Sequence, residues 1–319
     1  MTTARSSPGS SEVRSTDSSW ASGFSTSTAS VPSPAREALV GAGLSEAWST
    51  SLLAPADLAR AGLGTEAVEV ENPLAQEESV LRTSLLPGLL RAVVTNAHRR
   101  YPSVRLFEIG KVFVPPAAGE RLPAEPELVA GALAGADAAE AKRVLDTLVA
   151  ALAVDRVSVE PASQAGMHPS RSATVSASGE LVGVVGEVDP GVLAAHGLDG
   201  PVGWFELELE ALLAAPKRST QYRPVSRYPS ADFDLAVVVD DAVAAAAVAD
   251  ALAGAAGDLL EDLWLFDVFR GPQLGEGRRS LAYRVRVAAP DRTLDEDELS
   301  ALRERAIAAL TAVGGTLRT

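Results

Sequence analysis

Residues 280–287 read SLAYRVRV and decide how the last third of this 319-residue chain folds. Leu281 and Tyr283 fall on one side of the alternation, whereas Arg284 and Arg286 fall on the other. This alternation predicts a half-buried β-strand, because successive side chains of a strand point to opposite faces of its sheet. We therefore expect one face of the sheet to be packed and the other to be open and basic.

The elements on either side of this strand complete a common structural order. The sequence pattern predicts further strands at 233–239, 263–269 and 315–318, and helices at 242–256 and 295–313. The order β-α-β-β-α-β is typical of a ferredoxin-like sandwich. Thr293 followed by Glu296 predicts a capping box at the start of the second helix. Gly314-Gly315 predicts where that helix ends.

The preceding residues predict a second module at 34–215, in which helices and strands are mixed. Helices are expected at 35–43, 54–61, 85–98 and 139–152, and strands at 104–114, 128–133, 172–177, 181–188 and 203–209. The prolines within 216–224 favour a linker, so we place the ferredoxin-like domain at 218–319. Residues 1–33 contain 17 Ser or Thr and almost nothing apolar, which predicts a disordered tail.

The composition of the chain excludes several classes of protein. There is no cysteine, which excludes disulfides, thiolate zinc sites and cysteine nucleophiles. No apolar run approaches the ~18 residues of a membrane span, and the N-terminal pattern is not that of a secretory signal, so we expect a cytoplasmic protein. The net charge of −14 should repel nucleic acid at long range, so any RNA contact requires a local arginine cluster and DNA is not an expected partner.

Sequence motifs of catalysis and metal binding are not found. The three histidines lack a paired metal-ligand spacing, and there is no GxSxG nucleophile motif. The glycine-rich run at 271–277 lacks the GK[ST] ending and joins two predicted strands, which favours a hairpin over a phosphate loop. We assign no catalytic residue and no metal ligand to this chain.

Short sequence blocks, taken in order, cover the chain from about residue 34 to its end. In the first module they are ENPL (71–74), SVLRTSLLPGLL (79–90), LFEIG (106–110), MHPSRSA (167–173) and VGEVDP (185–190). In the second they are LFDVFRG (265–271), GRRSLAY (277–283), RTL (292–294) and LR (317–318). Together they resemble the catalytic-like module and the ferredoxin-fold anticodon-binding domain of the bacterial phenylalanyl-tRNA synthetase beta subunit.

The resemblance implies an α+β chain, in which a class II synthetase-like antiparallel sheet module at 34–215 precedes the βαββαβ sandwich at 218–319. It implies the C-terminal portion of a ligase beta subunit, which pairs with a catalytic alpha subunit in an assembly of two alpha and two beta chains. The assembly would contact tRNA(Phe) in protein synthesis, with ATP and Mg²⁺ bound by the alpha subunit and no cofactor by this chain. The family's upstream domains have no counterpart in residues 1–33, so the chain resembles a fragment, a split gene or a mis-called start.

The residues agree with a non-catalytic module in one respect and depart from the family pattern in another. Class II adenylation uses an arginine on the ATP α-phosphate and a second one in a glycine-rich strand. Residues 203–208 contain no arginine, and Glu206, Glu208 and Glu210 would repel a triphosphate, so we expect the chain alone not to be catalytic. In the anticodon domain the family's Arg-Asp pair reads Phe233-Asp234 here, which removes one expected arginine contact.

The sequence leaves two interpretations of its basic residues open. The candidate RNA-binding residues are Arg278, Arg279, Arg284, Arg286 and Arg318. They could form a positive platform for anticodon backbone and bases, or a solvated sheet face whose arginines pair with nearby acids. The apolar helix around residues 85–94, beside the strand at 104–114, is expected to contribute a surface that is buried only against the alpha subunit.

Two alternative functions also stay open at this stage. The chain could be a truncated, free-standing paralogue that acts as a structural or regulatory module binding RNA or protein. It could also be an independent enzyme that uses a cleft of the larger module. The missing nucleophile, metal and phosphate motifs disfavour the enzyme.

Overall fold

The computed structural model describes residues 32–99, 101, 103–219 and 227–318. These residues form two compact units that divide at Thr220–Gln221. We call them the larger and the smaller unit. The tail predicted at 1–33 lies outside the described residues, except that its last two residues begin the first helix. Residues 220–224 of the predicted linker also lie outside them.

The larger unit contains helices and strands in mixed order. Its helices are α1 (Pro32–Gly41), α2 (Pro55–Arg60), α3 (Leu86–His98), α4 (Ala138–Ala151), α5 (Pro190–Ala195) and α6 (Leu209–Ala214). Its strands are β1 (Ser45–Glu46), β2 (Leu52–Leu53), β3 (Val80–Leu81), β4 (Arg105–Lys111), β5 (Glu127–Ala134), β6 (Val157–Pro161), β7 (Met167–Ala177), β8 (Glu180–Val188) and β9 (Val202–Glu208).

Seven of these strands form one sheet with helices on both faces. The strand order is β1-β4-β5-β9-β8-β7-β6, and every pairing is antiparallel except that of β1 with β4. Phe205 of β9 packs in the core formed with α1, α4 and α6, while its neighbour Trp204 packs in the core formed with α3 and α5. Both rings are fully buried because the central strand is covered on both faces.

The smaller unit is a four-stranded sheet with two helices on one face. Its elements are β10 (Ala231–Asp240), α7 (Ala245–Ala256), β11 (Leu260–Phe269), β12 (Arg278–Val287), α8 (Glu296–Ala312) and β13 (Thr316–Leu317). The strand order is β11-β12-β10-β13, and all pairings are antiparallel. Leu281 and Tyr283 pack with Leu252 of α7 and Leu310 of α8. The α+β class and the βαββαβ order predicted from the sequence are therefore confirmed.

The structure corrects several local predictions, three of which concern β4, β6 and α8. The strand expected at 104–114 ends at Lys111, and the strand β6 was not predicted. The capping box of α8 is formed by Asp295 and Glu298, not by Thr293 and Glu296. Two acid-rich starts lie within one turn of each other there, and the polar pattern alone does not choose between them.

Candidate nucleic-acid interface

The sheet face of the smaller unit opposite its helices carries the candidate residues. Arg284 lies between Trp264 of β11 and Asp234 of β10, which are its partners across the sheet. Arg286 lies one pleat further along β12 and faces Asp232 of β10. Because residues two apart on a strand share a face, both arginines point away from the packed helices. We call this surface the open face.

Each of these two arginines makes a bidentate ion pair. The Nε and Nη2 of Arg284 donate to the Oδ1 and Oδ2 of Asp234 at 2.6 and 2.7 Å. The same atoms of Arg286 donate to the carboxylate of Asp232 at 2.8 and 2.9 Å. These hydrogen bonds hold the pKa of both aspartates below the ordinary carboxyl range and raise the pKa of both guanidiniums.

Aromatic rings flank the same guanidiniums. The centre of the Arg284 guanidinium lies 5.9 Å from the Trp264 ring centroid and 5.5 Å from that of Phe266, and Arg286 lies 5.4 Å from Trp264. These separations are within the range of cation–π attraction. A register shift between Leu265 and Asp267 adds an extra residue to β11, and half of the Phe266 surface is exposed there.

Arg318 also contacts an aromatic ring. Its backbone N–H donates to the carbonyl of Ala236 at 2.8 Å, which places it beyond the end of β13 and beside β10. Its guanidinium nevertheless lies 4.6 Å from the ring centroid of Phe269 on β11. The side chain therefore spans β10 and β12, where Ser280 and Ala282 are buried. A long side chain crossing small residues explains why those residues are covered.

Arg278 and Arg279 lie on opposite faces of the sheet. Both are the first residues of β12, not part of a preceding loop as predicted. Arg278 is an even number of residues from Arg284 on the same strand, so it lies on the open face, with its Nε 3.6 Å from the Oδ1 of Asp240. Arg279 lies on the helix side, where its Nη2 donates to the Val243 carbonyl at 2.7 Å. Of the five candidates, Arg278, Arg284, Arg286 and Arg318 are thus associated with the open face, and Arg279 is not.

Sequence reasoning predicted the arginines and the possibility of carboxylate partners, but it missed the rings. Trp264, Phe266 and Phe269 lie in the block LFDVFRG or just before it, and the pattern of this run predicts only a strand. Its density of aromatic residues was the available signal. Phe233, which replaces the family's arginine, packs partly buried against the helix-side cores.

In the larger unit, acidic residues are engaged within the protein. Glu108 of β4 is fully buried and accepts from Arg82 Nη1 and from Ser49 Oγ, both at 2.7 Å. Glu206 of β9 accepts from the Leu85 backbone N–H at 2.7 Å and from Ser84 Oγ at 3.0 Å. Burial raises the pKa of Glu206, although these hydrogen bonds oppose the shift. Of the three glutamates predicted to repel a triphosphate, Glu206 is thus partly buried beneath residues 84–85.

Two other polar groups of this unit also have internal partners. Arg105, which precedes the LFEIG block, pairs with Glu140 of α4 at 2.9 Å. Arg171 of the MHPSRSA block pairs with Glu187 of the VGEVDP block at 2.8 Å, and the same Glu187 accepts from the first N–H of α4. A Cβ at Gly186 would lie 2.3 Å from the Arg171 carbonyl, so glycine is needed for these two strands to approach. These blocks therefore have a structural role.

The apolar side of α3 does not form an exposed surface. Leu86, Leu89, Leu90 and Val93 are buried in the core of the larger unit, which corrects the prediction that the helix around residues 85–94 awaits a partner. The sequence pattern cannot distinguish a face covered by the chain's own sheet from one covered by another protein. Large exposed apolar residues lie elsewhere in this unit, at Trp48, Leu74 and Leu122.

Metal and membrane features were also sought in the part of the chain that the structure describes. No group of three or more His, Asp or Glu side chains there is arranged to hold a metal ion. No helix among the described residues is both long enough and apolar enough to cross a membrane.

Comparisons with known proteins identify both units. Residues 19–209 match the family model described as the phenylalanyl tRNA synthetase beta chain CLM domain, and residues 226–318 match the ferredoxin-fold anticodon binding domain. The chain is 39% identical over 302 residues to the phenylalanine–tRNA ligase beta subunit of Moorella thermoacetica, covering 89% of this chain and 37% of that protein. The beta subunit of Geobacillus kaustophilus is 38% identical, covering 86% and 36%.

A pyrrolysyl-tRNA synthetase structure from Desulfitobacterium hafniense is similar at 15% identity with a TM-score of 0.48, covering 57% of this chain and 64% of that one. The chain spans a little over a third of the length of the two beta subunits compared above. The family-model match across most of the larger unit is decisive. The chain belongs to the phenylalanyl-tRNA synthetase beta chain family, and a ferredoxin-fold anticodon binding domain follows the family's CLM domain.

Proposed function

We propose that this chain works as the beta-chain part of a phenylalanine–tRNA ligase. In this proposal it pairs with an alpha subunit, in an assembly of two alpha and two beta chains, and contacts tRNA(Phe). The alpha subunit binds ATP and Mg²⁺ and carries out the aminoacylation. Support comes from the family of both units and from the names of the relatives.

One feature of the larger unit supports a structural role and not a catalytic one. Glu206 occupies the strand where class II enzymes place a catalytic arginine. A phosphate-binding role would require a cation at this position. Trp48, Leu74 and Leu122 are strongly exposed apolar residues and are available for a protein partner to bury.

The observation that carries the RNA contact is the open face of the smaller unit. RNA-binding sheets combine cations for the phosphates with aromatic rings on which unpaired bases stack. Arg284 lies within 6 Å of the Trp264 and Phe266 rings, and Arg286 lies within 6 Å of the Trp264 ring, on the open face. This arrangement gives an acidic chain a local site at which single-stranded nucleotides can bind.

The test replaces Arg284 and Arg286 with alanine in the full chain co-expressed with its alpha subunit. Binding of tRNA(Phe) is measured by fluorescence anisotropy across a salt series. We expect affinity to fall on the order of tenfold and the salt dependence to become shallower by about one unit for each phosphate that is no longer bound. The matched control is Arg303→Ala with Arg305→Ala on α8, which removes the same charge from the helix layer. Unchanged affinity and slope in a folded Arg284/Arg286 variant would contradict the proposal.

A further inference from the structure

The open face contains its own anions, placed where phosphates would bind. Asp232 and Asp234 are two residues apart on β10, so both lie on the open face beside β12. Each carboxylate takes the Nε and Nη2 of one guanidinium, at 2.6–2.9 Å. That edge is one of the two at which an arginine can engage a phosphate oxygen pair in a bidentate contact. An RNA phosphate that binds at this edge therefore competes with the aspartate for the same donors.

These pairs are open to displacement. The paired side chains are 35–43% exposed, so solvent and salt reach them. The same arginines also lie over aromatic rings, Arg284 5.5 Å from the Phe266 centroid and Arg286 5.4 Å from the Trp264 centroid. Cation–π attraction at these distances does not depend on which anion occupies the donor edge, so an incoming phosphate can replace a carboxylate without removing it.

Other cations and anions of the open face also lie next to each other. Arg278 lies beside Asp240, and Asp262 of β11 is the cross-strand partner of Arg286. Glu261 and Asp262 both add to the negative field around Arg286. RNA phosphates therefore meet screened cations on the open face.

We propose that Asp232 and Asp234 are affinity-determining residues of the RNA-binding face, acting as internal competitors that hold its phosphate affinity low. The proposal rests on the proposed function, because it concerns the same face. Phosphate contacts supply the sequence-independent part of RNA binding, whereas base contacts read the nucleotide. With the Nε and Nη2 edge of each guanidinium occupied and its charge paired, RNA that offers phosphates alone binds weakly. RNA that also offers bases to Phe266 and the partly exposed Trp264 gains enough from base contacts to offset the displacement of the carboxylates.

The test compares the full chain with a variant carrying Asp232→Asn and Asp234→Asn. Asparagine keeps the size and removes the competing charge. The probes are a fluorescent twelve-nucleotide oligouridylate and unfractionated tRNA, each titrated across a salt series. We expect both probes to bind on the order of tenfold more tightly at low salt, with a salt dependence steeper by about one unit. Asp250→Asn with Glu304→Gln is the matched control, because it makes the same charge change on α7 and α8.

A combined variant separates direct competition from a general field effect. When Arg284→Ala and Arg286→Ala are added to the two asparagine substitutions, the gain in affinity should disappear, because the freed donors are no longer present. A gain that persists in this background, or an equal gain in the helix-layer control, would overturn the proposal. So would an unchanged or weaker affinity of the asparagine variant, as judged after thermal melting confirms its fold.

The outcomes also separate this inference from the proposed function. If the arginine substitutions weaken binding and the asparagine substitutions do not tighten it, the RNA-binding face stands and the competition is refuted. If neither set changes binding, the proposed face itself is refuted, and the inference with it.

Discussion

Glu206 shows how burial and hydrogen bonding determine the state of a single side chain. It is a strand residue in a run of acids, and the sequence predicted that its charge would repel a triphosphate. In the structure it receives the Leu85 N–H and the Ser84 hydroxyl, and residues 84–85 cover it. Burial disfavours its ionised form, which raises the pKa of the carboxyl.

This shift predicts a pH dependence of stability. The folded protein holds the Glu206 proton more tightly than the unfolded chain does. The contribution of Glu206 to the unfolding free energy is therefore complete below its ordinary pKa of 4.5 and is lost as the pH rises through the folded value. Relative to Glu206→Gln, the wild type should become less stable over that interval, by about 1.4 kcal/mol for each unit of pKa elevation.

Urea unfolding at a series of pH values measures this difference directly. Glu208→Gln is the control, because Glu208 lies exposed at the end of the same strand. Parallel pH profiles for the wild type and Glu206→Gln would show that the carboxyl is not buried in solution.

At the scale of elements, the start of α8 has the capping box that the sequence predicted, but two residues further along the chain. Asp295 accepts from the Glu298 N–H at 2.8 Å, and the Glu298 carboxylate accepts from the Asp295 N–H at 3.1 Å. Arg292 also pairs with Glu298. The sequence offered Thr293 with Glu296 as well, and only the backbone path after Leu294 decides between the two.

Replacement of Asp295 by alanine should therefore destabilise the smaller unit by about 1 kcal/mol, because it removes the acceptor for an N–H at the helix start. Thr293→Ala, at the position favoured by the sequence, should change the unfolding free energy by less than about 0.5 kcal/mol. Asp297→Ala controls for loss of a first-turn charge. Urea unfolding followed by circular dichroism measures all three. A larger effect of Thr293→Ala than of Asp295→Ala would contradict the assigned cap.

Most elements of the fold followed from the sequence because their periodicity is strong. The alternation in β12 and the apolar spacing in α3 and α4 reflect burial on one face, which is a local property. The irregularity in β11 did not follow, because a bulge is set by pairing with a neighbouring strand. Because the sequence predicted β11 only as a strand, it did not predict the aromatic rings that lie beside Arg284 and Arg286. The sequence therefore predicted the arginines of the candidate site but not its aromatic rings.

At the scale of the whole molecule, a net charge of −14 is compatible with RNA binding at the open face. Long-range repulsion slows the approach of any RNA, and short-range contacts at the open face decide which RNA stays. Each of the two compact units has its own hydrophobic cores. The proposed function gives partner binding to the larger unit and RNA contact to the smaller one.

This division of labour predicts that the purified chain alone does not form aminoacyl-adenylate. Residues 203–208 supply no arginine to neutralise a triphosphate. Phenylalanine-dependent exchange of pyrophosphate into ATP should remain at background and appear only when the alpha subunit is added. Exchange that co-elutes with the chain, after mass spectrometry excludes the alpha subunit, would refute this assignment.

The most direct test of RNA binding at the open face is to locate tRNA on the chain. Ultraviolet crosslinking of tRNA(Phe) to the full chain assembled with its alpha subunit can be mapped to single residues by mass spectrometry. We expect crosslinks within β11, at Trp264, Phe266 or Phe269. Crosslinks of this chain confined to α7 and α8, or to the larger unit, would contradict RNA binding at this face.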